Sequence, residues 1–307
     1  MAIKTQVRLF LPYLKKTWFF YFPFIALILF SNYRLPNIRV IPVPLQVAPF
    51  MGMMPNSVPI NKTLRKLLYL EAQQVKPPVK IPVVSILKKA RVAIIIDDVG
   101  YDRTIIQEIA KIPIPLTWAF LPYTPYEKEC LQVAKANGIK IILHLPLESL
   151  HPLINPGPGV IKHNWSEAEI GQQLDRDLDT VPGAIGMNNH MGSLGTQDPH
   201  LMACLMKIIR QKKLFFIDSM TTAKSVAGKY ALEYQVPFAK RRVFIDNSSD
   251  ENSKKAALRE LLGIALKEGT AIGIAHVKAG NATVIIEMLP EFIKAGVEFV
   301  PVSDLVR

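Results

Sequence analysis

From Arg91 onward, short runs of consecutive apolar residues alternate with stretches in which apolar positions recur every three or four residues. The first kind reads as a strand buried on both faces, as in a parallel sheet, and the second as an amphipathic helix. The opening run, residues 91–96 (RVAIII), ends abruptly in Asp97-Asp98-Val99-Gly100. The pattern then predicts a helix over 102–111, a strand over 116–121, and a helix over 125–137 with Thr124 as cap and Gly138 just past its end. A strand over 139–144 leads into a long loop rich in Pro and Gly. Next come a helix over 167–180, opened by the capping box Ser166-x-x-Glu169, and a short strand over 184–188. The following helix has Asp198 as cap and Pro199 at its first position. After a strand over 214–218 and a partly irregular segment, the series continues with a strand over 243–246 and a helix over 251–267 that stops near Gly269. A strand over 271–276, a helix over 281–295 and a strand over 298–301 close it. Seven or eight βα units without a long antiparallel section predict an α/β protein, either a closed barrel or a large open parallel sheet. The barrel is preferred.

Residues 1–90 follow a different rule. Lys4, Arg8, Lys15 and Lys16 precede an unbroken apolar run over 18–30, the layout of a secretory signal peptide or a membrane anchor covering 1–31. No clean small-x-small cleavage site follows, which favours the anchor slightly. A positive flank of this kind keeps the N-terminus cytoplasmic and exports the rest, so the expected location is extracytoplasmic, in the periplasm or cell envelope. Residues 32–89 are basic and punctuated by proline, and they read as a semi-rigid linker, with one short helical pattern over 63–74. The folded domain is therefore expected over 90–307.

Charge sharpens this division. Residues 1–90 hold 13 Lys or Arg and one acid, Glu71, so they carry the whole net charge of +12. Residues 91–307 hold 24 Lys or Arg and 24 Asp or Glu. A domain with no basic excess argues against a nucleic-acid partner. Cys130 and Cys204 form no metal-binding spacing, and buried free thiols are expected over a single disulfide.

Unusual polar residues collect where the predicted strands end. The first strand ends in Asp97-Asp98, the third in His144-Leu-Pro-Leu-Glu148, and the fourth in Asn188-Asn189-His190-Met191-Gly192-Ser193. The later ones end in Asp218-Ser219, Asp246-Asn247 and His276. In a βα barrel these ends converge on one face. A carboxylate with two or three imidazoles around a pocket suits a divalent metal, zinc by donor type. His151, His163 and His200 lie elsewhere and are read as background.

Taken together, Ile96-Asp-Asp-Val-Gly100, His144-Leu-Pro-Leu-Glu148, Asn188-Asn-His-Met-Gly-Ser193, Phe216-Ile-Asp-Ser219 and His276 resemble the divergent polysaccharide deacetylase family, related to the NodB-type carbohydrate esterases. The resemblance covers about residues 90–307. It implies a distorted (β/α)7–8 barrel of NodB type, with Asp97 as general base, Asp98 as metal ligand and His276 as general acid. The second histidine of the NodB-type His-x-x-x-His pair falls on Glu148, and the arginine of their Arg-Pro-Pro-Tyr-Gly motif falls on Asn188. His190 is expected to replace the missing ligand beside His144. Glu148, Asn188, Asn189, Ser193, Asp218, Ser219 and Asp246 are expected to support the ligands or touch substrate. The implied activity is metal-dependent deacetylation of an extracytoplasmic polysaccharide, with a polysaccharide or peptidoglycan-like glycan as partner. The rival expectations are a catalytically weak glycan-binding envelope protein and hydrolysis of another amide, such as one in peptidoglycan.

Overall fold

The computed structural model describes residues 89–307. The expected signal or anchor segment and nearly all of the linker, with its helical pattern over 63–74, lie outside the described residues.

Strand β1, Arg91–Val99, sits near the middle of the sheet because both its faces are apolar. Val92, Ile94 and Ile96 face the helices, while Ala93 and Ile95 face the interior with Ile142, Ile217 and Ile274. Each isoleucine fully buried in this way contributes about 1.5–3 kcal/mol. The chain then runs through α1 (Ile105–Ile109), β2 (Leu116–Phe120), α2 (Glu127–Ala136), β3 (Lys140–Leu147), α3 (Glu167–Thr180) and β4 (Gly186–Met191). It continues with α4 (Pro199–Gln211), β5 (Phe215–Asp218), α5 (Ala227–Glu233), β6 (Phe238–Lys240) and β7 (Val243–Phe244). Helix α6 (Glu251–Glu268), β8 (Thr270–His276), α7 (Asn281–Lys294) and β9 (Glu298–Phe299) complete it.

The strands are parallel in the order β6-β5-β4-β3-β2-β1-β8-β7, with β9 pairing to β1. The sheet curls into a half-barrel of NodB type, and β6 and β7 are its two free ends. Only two residues, Arg241 and Arg242, join them. Arg241 donates its backbone N–H to Asp218 on β5, and Arg242 donates to Ile272 on β8, so adjacent residues tie the opposite edges. Below them the C-terminal segment plugs the interior with Val300, Val302 and Leu305. There Thr117 Oγ1 accepts the Val302 N–H at 3.0 Å, and Phe238 and Arg307 exchange both backbone hydrogen bonds.

The Ser166–Glu169 capping box and the Asp198 cap form as the pattern predicts. Thr124 does not cap α2, whose first residue follows Tyr126. Its hydroxyl donates to the Leu121 carbonyl instead, and it packs on Gly100, where a Cβ would meet Thr124 Oγ1 at 2.0 Å. The segment read as partly irregular contains α5 and the three-residue β6. Both cysteines are buried and unpaired.

Candidate metal centre

The end of β1 departs from regular strand geometry. In an extended chain Asp97 and Asp98 would face opposite sides of the sheet. Asp98 instead adopts φ +62°, and the pairing of β1 with β2 slips between Ile96 and Val99. This is a bulge held by a left-handed non-glycine residue, a conformation that costs about 1–3 kcal/mol. Its effect is to aim both carboxylates at one imidazole. His144 Nε2 lies 3.5 Å from Asp97 Oδ2 and 3.4 Å from Asp98 Oδ1.

His190 comes from the end of β4, beside β3, and its Nδ1 lies 3.2 Å from Asp98 Oδ1 and 3.1 Å from His144 Nε2. The chain turns away immediately afterwards through Met191 and Gly192, both at positive φ. Asp98, His144 and His190 are the one such group of His, Cys, Asp or Glu side chains found among the described residues. Their donor atoms are spaced close to the edge of about 3.3 Å expected for a tetrahedron with bonds of about 2.0–2.1 Å. Asp98 Oδ1 is enclosed and accepts no hydrogen bond among the described residues. A buried carboxylate oxygen left without a donor costs free energy that a cation would recover. The donor set, one carboxylate and two imidazoles with room for a further ligand, suits a zinc-like ion.

Asn188 organises the two halves of the site. Its amide donates to Asp97 Oδ1 and Oδ2 at 2.9 and 3.1 Å, and its carbonyl lies 2.8 Å from His144 Nδ1. An amide oriented this way accepts the Nδ1 proton, which leaves the His144 Nε2 lone pair facing Asp98 and His190. Ser219 Oγ accepts a further bond from the same amide.

On the other side, β8 places His276 next to Asp97 in register. Asp246 Oδ1 lies 2.8 Å from His276 Nδ1, and Asp246 Oδ2 accepts from the His276 N–H and from Asn281 Nδ2. The ring of Phe244 stacks on His276 with centroids 5.8 Å apart.

These surroundings set the charges. Burial alone would push the Asp98 carboxyl up, but the His144 and His190 imidazoles beside it hold it far below the usual carboxylate range. Burial raises Asp97, and His144, His276 and Asn188 offset only part of that. Burial lowers His190, which favours its neutral form. For His276 burial acts downward, and Asp246 outweighs it to raise the imidazole above its ordinary value. Titratable groups with shifts in opposite directions thus cluster at one end of the sheet. Beside them a cavity of about 340 Å³ is lined by Asp98, His190, Tyr101, Leu121, Asn155 and Val277, among others.

The remaining expected residues hold loops. Glu148 does not reach the cluster; its Oε2 lies 2.6 Å from His163 Nδ1, so a histidine read as background is its partner. Asn189 accepts from the Ser219 N–H and donates to the Met191 carbonyl. Ser193 accepts from the Leu150 N–H, and Asp218 accepts from Ser225 and the Met220 N–H. His200 lies outside the site, 3.0 Å from the Trp165 carbonyl. Sequence reasoning missed Asn281, Phe244 and Arg241. Of these, Asn281 carried a signal, since it is the first residue of α7, five positions after His276.

A parallel half-barrel with its polar cluster at the strand C-termini defines the NodB-like fold class. Residues 94–306 match the model described as divergent polysaccharide deacetylase, and the chain belongs to that family. A Haemophilus influenzae uncharacterized protein is 35% identical over 209 residues, covering 67% of this chain and 74% of its own. The Escherichia coli K12 uncharacterized protein YibQ is 29% identical over 201 residues, covering 65% of this chain and 62% of its own. The crystal structure of uncharacterized protein ATU2773 from Agrobacterium tumefaciens C58 superposes with a TM-score of 0.68 at 27% identity, covering 72% of this chain and 91% of that one.

Proposed function

We propose that the domain is a metal-dependent hydrolase that removes an acetyl group from an extracytoplasmic polysaccharide. The observation that carries this reading is the convergence of Asp98 Oδ1, His144 Nε2 and His190 Nδ1 beside the buried Asp97. A divalent ion bound there, zinc by donor type, supplies Lewis acidity toward the acetyl carbonyl and toward water. Asp97 then takes the proton from the attacking water, and Asn188 keeps its carboxylate oriented. His276, held protonated by Asp246, gives its proton to the departing amine or alkoxide, so the products are acetate and the free sugar group. The extracytoplasmic setting rests on the basic, apolar pattern of residues 1–31.

Asp98→Ala is expected to remove metal and acetate release together, read by metal analysis and by product analysis on a panel of acetylated glycans. A variant that keeps full metal content rejects the ligand assignment. A parent protein that binds glycan without releasing acetate or holding stoichiometric metal supports the glycan-binding alternative.

A further inference from the structure

The short link that closes the half-barrel carries a cation that the reaction above does not use. Arg241 is half-buried, directly between β6 and β7. Its Nε donates to the Ser219 carbonyl at 2.7 Å and its Nη2 to the Met220 carbonyl at 2.9 Å. The guanidinium carbon sits 3.7 Å from the Phe244 ring centroid, on the same side chain that stacks on His276. Ser219 also accepts from Asn188, the residue that holds Asp97, so two residues, Ser219 and Asn188, link the guanidinium to Asp97. It forms no ion pair with any carboxylate among the described residues, whereas Arg242 and Arg259 pair with Glu268 and Glu291.

Removing a charge from water is costly, the more distant charges of Asp218 and Asp97 offset that only in part, and fixing the guanidinium by stacking and two carbonyls leaves most of its donor fork unspent. A latch across the seam needs only the bonds to Ser219 and Met220. We infer that Arg241 docks a carboxylate carried by the substrate, so the site prefers an acidic acetylated sugar to its neutral counterpart. Guanidinium and carboxylate match as planar, two-point partners. The inference rests on the glycan-deacetylase reading.

The test is calorimetric binding of a matched pair, an N-acetylated oligosaccharide bearing carboxyl groups and the same oligosaccharide with those groups reduced to alcohols. A hydrogen bond to a charged group is worth about 1.5–3 kcal/mol, so the parent is expected to bind the acidic form about 10–100-fold more tightly. Arg241→Gln is expected to abolish that preference while leaving the neutral affinity unchanged. No preference in the parent, or an equal loss for both ligands in Arg241→Gln, overturns the proposal and leaves Arg241 as a latch. Should the glutamine variant fail to fold, Arg241→Lys carries the test: a reduced preference with neutral affinity retained supports the subsite, and an unchanged preference overturns it. Binding is read without turnover. Absence of acetate release would therefore sink the hydrolase and leave the subsite standing.

Discussion

Two buried aspartates, Asp97 at the mouth of the half-barrel and Asp177 on α3, start from the same physics and end differently. Both lie out of solvent, and burial raises both carboxyls. Around Asp97 stand two imidazoles and an amide donor, so ionisation is partly supported at the place where a base is wanted. Asp177 has Gln173 Nε2 on Oδ1 at 2.7 Å, and no partner on Oδ2 among the described residues. It lies against Gly159 of the β3–α3 loop, where a Cβ would come within 2.6 Å of Oδ1, and burial pushes it up to about 7. Burial makes both reluctant to ionise; at Asp97 two imidazoles and an amide oppose it, and at Asp177 hydrogen bonds and the more distant Arg176 do. Nothing about the residue type separates them.

The comparison breaks most visibly at Asp97. Asp97→Asn keeps the shape and the contact with Asn188 but removes the proton acceptor, so acetate release is expected to fall about 10²–10⁴-fold. Metal content should not change, because Asp98, His144 and His190 remain, and loss of the ion in this variant would make Asp97 a ligand instead. A smaller effect is expected at the acid. Asp246→Asn should lower activity by about 10–100-fold, the usual cost of removing the partner that orients a site imidazole. It also has a direction in pH. Asp246 raises His276 above its ordinary value, and in the proposed reaction the protonated imidazole supplies the proton, so activity in the parent is expected to fall only as pH rises through that elevated value. Without Asp246 the alkaline limb of the rate profile should move to lower pH. An unmoved limb would show that His276 is not the acid.

Much of this arrangement was legible in the sequence because polar residues interrupt apolar strands only at their ends. Asp97, His144, Asn188, Asp246 and His276 stand out against runs such as residues 91–96 for that reason alone. What the pattern concealed is local geometry. Strict alternation puts Asp98 on the far face, and only the bulge at φ +62° brings it to His144. From its motif position Glu148 is expected to support the ligands or touch substrate, yet its partner, His163, lies fifteen residues on in a loop with no periodicity to place it. Arg241 was hidden because β6 has three residues, too few to show a period, and the seam it forms with β7 exists only in three dimensions.

Asp177 supplies the smallest and cleanest effect, since it lies apart from the proposed chemistry. Its folded value of about 7 stands above the ordinary 3.8, so the native state holds this proton more tightly than the unfolded chain does. Stability therefore falls as pH rises from about 4 to about 7 and stays low above that, because the folded state must then carry a buried, half-partnered charge. Asp177→Asn keeps an oxygen for Gln173 and cannot ionise, so its contribution is flat across the same window. Thermal midpoints of parent and variant should lie close together near pH 4.5 and separate by pH 7.5, with the variant higher. The difference between the two proteins is the informative quantity, since Asp97, His144 and His276 titrate in both. Parallel curves across that range would mean that Asp177 ionises normally in the fold, and that burial at this position lacks the force the contrast with Asp97 assigns to it.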